Sequence, residues 1–177
     1  MISEQGLLFP ELDPYKTKIK DIDYIDISKI KMQKHKNRTY DYSLLPKDRY
    51  FLFKSGGINK YMEKEGNCFP YVQNKETGNL YTVGVTESCG YPKFTISEEI
   101  DGKRIGFFFQ IHRLIGEAFI ENDMPELKTV VDHKDGNRLD YRVQNLRWVT
   151  QSQNTNGLKR PRQLSFIEEA RMKKNDK

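Results

Sequence analysis

Val130-Val131-Asp132-His133-Lys134-Asp135-Gly136-Asn137, followed by Val143-Gln144-Asn145-Leu146-Arg147-Trp148-Val149-Thr150 and then Asn154, is the stretch on which the fold of this chain turns. An acid and a histidine stand side by side where a short strand ends. The Asp135-Gly136-Asn137 turn supplies that ending, because Gly, Asp and Asn tolerate the backbone conformations that tight turns need. A second short apolar strand runs to Val149. The Thr150 hydroxyl can then cap a helix while Gln153, three residues on, reaches back to it, the reciprocal pattern of a capping box. Asn156-Gly157 predicts the end of that helix, with Pro161 just beyond.

This order of elements has chemical consequences. Neighbouring residues of a strand point to opposite faces, so an Asp-His pair can serve one site only where the strand is ending. Asn154, just past the first helical turn, can face back across the hairpin toward Asp132. A carboxylate, an imidazole and a carboxamide are thereby aimed at one cleft, as single-metal hydrolysis of a phosphodiester requires. In such a site the metal neutralises a phosphate oxygen and the leaving 3′ oxygen, and a neutral imidazole takes a proton from the attacking water. Asp and Asn oxygens are hard ligands suited to Mg²⁺ or Mn²⁺.

These residues resemble those of the HNH, or ββα-metal, endonucleases, and most of all the branch found in phage and intron-encoded nicking homing endonucleases. In that branch the first motif is Asp-His, the middle motif is Asn-Leu-x-Trp-Val-Thr, and the last is an Asn on the helix. The resemblance implies that His133 is the general base and that Asp132 and Asn154 are the metal ligands. It implies that Asn145 is the hairpin residue whose hydrogen bonds hold the loop behind His133. It extends over roughly Tyr91 to Asn156, because Ile111-His112-Arg113-Leu114-Ile115-Gly116-Glu117-Ala118-Phe119-Ile120 is similar to the helix that precedes the motif in this branch.

Each residue also has a structural reading. Trp148, between Leu146 and Val149, reads as core. His112 opens a helix whose apolar positions Leu114, Ile115, Ala118 and Phe119 follow helical spacing, so it reads first as a packed histidine and second as a support of the site. His35 lies in a run from Lys29 to Arg38 that contains no acid. Lys29, Lys31, Lys34, Lys36 and Arg38 in that run would by themselves be a solvated basic loop, but beside the nuclease motif phosphate contact is the better reading; Lys159, Arg160 and Arg162 near the C-terminus are candidate phosphate contacts or, equally, a solvated end.

The fold class expected is α+β: an antiparallel β-rich lobe, then a helix, then the ββα motif. Asp21 to Ile30 alternates well enough for a strand, and strand signals strengthen from about Tyr71. Lys75 to Asn79 reads as a turn before the strand Leu80 to Val85. Asp101-Gly102 marks a hairpin between Phe94–Ser97 and Ile105–Ile111. The division expected is residues 1–70 as an N-terminal arm and DNA-contacting region, 71–158 as hairpins, helix and nuclease motif, and 159–177 as a basic tail with a short helix.

The chain has 177 residues with 30 Lys and Arg against 25 Asp and Glu, a formal charge of +5 that favours a polyanion partner. Double-stranded DNA is the partner expected. No apolar run approaches a membrane span, and the N-terminus lacks a signal core, so an intracellular, cytoplasmic protein with no membrane partner is expected. Cys68 and Cys89 are not at Cys-x-x-Cys spacing, which argues against a structural zinc and against a disulfide scaffold. The leading reading is a Mg²⁺-dependent (or Mn²⁺-dependent) DNA endonuclease. The alternatives are a DNA-binding protein that keeps the scaffold without efficient cleavage, and an RNA-binding protein with no need of the metal constellation.

Overall fold

Tyr50 to Gly57 (β2) forms the backbone of the first sheet, a strand whose Tyr50 and Leu52 are buried while Phe51 and Phe53 lie on the other face. It pairs antiparallel with Tyr24–Asp26 (β1) on one side and Phe69–Asn74 (β3) on the other, and β3 pairs with Leu80–Tyr81 (β4). The sheet order is β1-β2-β3-β4. The structure is a computed structural model that describes residues 17–31, 44–81, 83–85 and 90–157.

A second sheet joins Val83–Val85 (β5), Pro92–Ile100 (β6) and Lys103–Gln110 (β7) in that order. Asp101 and Gly102, with φ of 50° and 72°, close the β6–β7 hairpin. Two left-handed residues in a row match the twist of a two-residue turn, which is why Asp-Gly is favoured there. Phe94, Ile96, Phe107 and Phe109 alternate inward from this hairpin, with Thr95, Ser97 and Phe108 exposed between them.

From Gln110 the chain enters helix α1, Ile111–Phe119, directly. Its buried positions Ile111, Leu114, Ile115, Ala118 and Phe119 recur at helical spacing and bind it to the second sheet. On its other side α1 packs against Val130–His133 (β8), which pairs antiparallel with Leu146–Val149 (β9). Gly116 makes that approach possible: a Cβ there would stand 2.5 Å from Val131 Cγ2. The end of α1 is fixed from outside, where Lys20 Nζ donates to the carbonyls of Glu117 (3.2 Å) and Ala118 (3.0 Å). A cation at helix carbonyls satisfies orphan acceptors and complements the helix dipole.

Helical turns follow β9 at residues 151–157, of which Gln153–Gly157 are π-helical. The Thr150 capping box is formed in both directions: Thr150 N–H donates to Gln153 Oε1 (2.9 Å), and Gln153 N–H to Thr150 Oγ1 (3.1 Å). One apolar cluster runs from Ile27, Tyr50 and Phe69 through Phe94 and Phe109 to α1, Leu146 and Trp148. The chain is α+β, with three antiparallel sheets among the described residues.

Two sequence expectations need correction. The strand expected over Asp21 to Ile30 is limited to β1, because the Asp26 carboxylate accepts the Ser28 N–H and bends the chain into a 3₁₀ turn at Ile27–Lys29. The strand expected over Leu80 to Val85 is divided, with Leu80–Tyr81 in the first sheet and Val83–Val85 in the second.

Candidate active site

Strand β8 ends on His133, so Asp132 and His133 occupy its last two positions. Register places Asp132 opposite Arg147 and His133 opposite Leu146 on β9. Both residues are buried, with exposures of 4% and 3%.

Asp132 is held by Arg147. The Arg147 guanidinium, 1% exposed, donates from Nε (3.0 Å) and Nη2 (2.9 Å) to a single carboxylate oxygen, Asp132 Oδ2. A buried carboxylate needs such a counter-charge, since desolvation otherwise makes its ionised form very costly. Arg147 was not among the residues singled out from sequence. It lies fifteen positions from Asp132, and only the hairpin register reveals the pair.

His133 packs in a group of rings. Its centroid is 5.2 Å from that of His112, the second residue of α1, and 6.1 Å from that of Tyr91; Tyr91 and His112 are 4.8 Å apart. Arg138, exposed in the loop after β8, lies with its guanidinium carbon 4.8 Å over the Tyr91 ring. His112 therefore neighbours the candidate base as well as packing in the core.

The loop from Lys134 to Asn145 is ordered by its own short polar side chains. Asp135 Oδ1 accepts the Asn137 N–H (2.7 Å), and Asn137 Oδ1 accepts the Leu139 N–H (3.0 Å). Asn145 spans the loop: its amide donates to Asp135 Oδ1 (2.9 Å) and to the Asp140 carbonyl (2.9 Å), and its Oδ1 accepts the Asp135 N–H (3.2 Å). The segment between β2 and β3 grips the same loop. Fully buried Asn59 donates to the Leu139 carbonyl (2.8 Å), while Arg142 joins Asp140 to Glu65. Burial and the neighbouring Arg147 charge together lower the pKa of Lys134, whose ammonium donates to the Gln144 carbonyl (2.8 Å).

Asn154 is exposed in the first helical turn after β9, its N–H donating to the Thr150 carbonyl (3.0 Å). Asp132 and Asn154 each carry a hard side-chain oxygen, and no cluster of three His, Cys, Asp or Glu side chains suited to a metal occurs among the described residues. Oxygens of that kind suit a Mg²⁺-type ion, which keeps several waters and binds through one or two protein oxygens plus substrate phosphate. A cleft of about 540 Å³ lies on the loop side of the hairpin, lined by residues including Ser55, Cys68, Asp140, Arg142 and Asn145 but by neither Asp132 nor His133. Among the basic candidates, Lys29 and Lys31 are exposed. Lys34, Lys36, Arg38, Lys159, Arg160 and Arg162 lie outside the described residues, as do Cys89 and the C-terminal tail.

Residues 109–156 match the family model described as HNH endonuclease. The chain is 51% identical over 99 residues to an uncharacterised HNH endonuclease of Acanthamoeba polyphaga mimivirus, a match covering 55% of this chain and 23% of the relative. It is 40% identical over 94 residues to the DNA endonuclease I-HmuI of Bacillus phage SP01, covering 48% of this chain and 49% of the relative. The matches thus span from about a quarter to about half of these relatives. No solved structure matches the chain significantly.

Proposed function

We propose that this chain, whose residues 109–156 belong to the HNH endonuclease family, cuts double-stranded DNA by metal-dependent hydrolysis of a phosphodiester bond, as a homing-type nuclease of a phage or mobile element. The observation that carries the reading is the end of β8. It presents a buried carboxylate and a buried imidazole in succession, on a loop that Asn145 ties at three points.

In this reading His133 is the general base, taking a proton from the water that attacks phosphorus. The rings of His112 and Tyr91 set its orientation by packing against it. Asp132 and Asn154 hold the metal, which when bound supplies positive charge to the phosphate and the leaving oxygen. Arg147 fixes the Asp132 carboxylate through two hydrogen bonds to Oδ2. Asn145 keeps the loop in the shape that presents His133. Lys29 and Lys31, and the basic residues of the flanking segments, supply backbone contacts to DNA, consistent with the net charge of +5.

The experiment is incubation of the purified chain with supercoiled plasmid, with Mg²⁺ or with excess EDTA. Conversion to open-circular or linear plasmid with Mg²⁺ alone is the expected result. Binding without conversion under both conditions would favour a scaffold that has lost cleavage.

A further inference from the structure

A cation, Arg138, stands at the rim of the same ring group. Tyr91, preceding β6, His112, opening α1, and His133, ending β8, come from distant parts of the chain, and the Arg138 guanidinium lies against the Tyr91 ring. We propose that Arg138 is a phosphate-binding residue of this site, held over Tyr91 so that its guanidinium meets the DNA backbone beside the bond cleaved by the water that His133 activates. The inference rests on the nuclease reading and deepens it.

The backbone on both sides of Arg138 is fixed. Asn137 is tied through its N–H to Asp135 and through its side chain to the Leu139 N–H, and the Leu139 carbonyl is held by Asn59. A long cation on a mobile loop loses much conformational freedom on binding a ligand, and one placed on a rigid loop and resting on an aromatic face has already lost part of it. Accessibility separates Arg138 from the other arginines of the hairpin. Arg147 is buried on Asp132 and Arg142 is half-buried, whereas Arg138 is exposed. A planar guanidinium matches the oxygens of a phosphodiester, to which it can give two parallel hydrogen bonds. The ring of Tyr91 thus links the candidate base and the cation in one wall.

The test compares the wild type with Arg138→Gln and Arg138→Lys. The readouts are the nicking rate of supercoiled plasmid at saturating protein with Mg²⁺, duplex affinity against salt in EDTA, and the melting temperature. Arg138→Gln should lower the nicking rate by about 10²-fold, the scale of losing one donor to transition-state charge. It should also flatten the salt dependence by about one unit of slope, with the melting temperature unchanged. Arg138→Lys should recover part of the rate by restoring charge without the fork. Wild-type rate and salt slope in Arg138→Gln would overturn this proposal and leave the nuclease reading intact. So would a lowered melting temperature shared by Arg138→Gln and Arg138→Lys. A wild type that never nicks would overturn both.

Discussion

Replacing Arg147 by Met should be among the most destabilising single changes in the hairpin, for a reason that can be worked through in numbers. Asp132 and Arg147 are 4% and 1% exposed, and two hydrogen bonds of 3.0 and 2.9 Å join them. Removal of the guanidinium takes the counter-charge from a buried carboxylate. Breaking a buried pair from one side costs about 3–5 kcal/mol, a large part of the roughly 5–15 kcal/mol that holds a typical domain together. At about 2–4 °C per kcal/mol for a chain of this size, the melting temperature should fall by roughly 6–20 °C. Asp132→Leu alone should cost a similar amount by stranding the cation. The double variant Arg147→Met with Asp132→Leu should recover much of the loss, because apolar side chains of similar volume replace a buried pair at little cost. Denaturation of the four proteins gives the coupling energy directly. A cost below about 1 kcal/mol for Arg147→Met, or additive single and double effects, would refute the claim that the two charges sustain each other.

Asn145→Ala should lower stability by about 1–3 kcal/mol by releasing three loop hydrogen bonds, and added Mg²⁺ should not restore cleavage; Asn154→Ala should leave melting unchanged but raise the Mg²⁺ needed, with Asn154→Asp partly active. Gly116→Ala should destabilise by about 1–3 kcal/mol, because its Cβ would meet Val131 Cγ2 at 2.5 Å, and Val131→Ala in the same chain should relieve part of that loss in a melting experiment. Burial raises the Asp26 pKa, but hydrogen bonds from Lys75 and Ser28 and the Lys75 charge outweigh it and leave the net value below the ordinary 3.8. The stabilisation is therefore present above that ordinary value and lost as pH falls through the folded one. Asp26→Asn should cost about 1 kcal/mol at neutral pH, with the difference from wild type shrinking below pH of about 4 in acid titrations of stability.

What could be read from sequence was what lies within a few residues or repeats with a period. The Thr150–Gln153 capping box spans four positions, the Asp101-Gly102 turn two, and the apolar stripe of α1 carries its own spacing. Strand β2 is hidden in the sequence because Tyr50 to Phe53 is apolar on both faces, which masks the alternation of buried Tyr50 and Leu52 with half-buried Phe51 and Phe53. The break after Tyr81 was also invisible, since a strand that changes sheets keeps its residue preferences. In the site, Asp132 and His133 were legible as neighbours, but Arg147 becomes their companion only through register. Tyr91 and Asn59 do so only through packing across the chain, with Asn59 eighty residues from the carbonyl it holds.

The most direct test of the central claim is the plasmid-nicking rate of His133→Ala beside wild type in Mg²⁺, with duplex binding measured on both. The account predicts a rate lower by about 10²- to 10⁴-fold, as for loss of a general base, with affinity for DNA retained. Nicking by His133→Ala at the wild-type rate would contradict it.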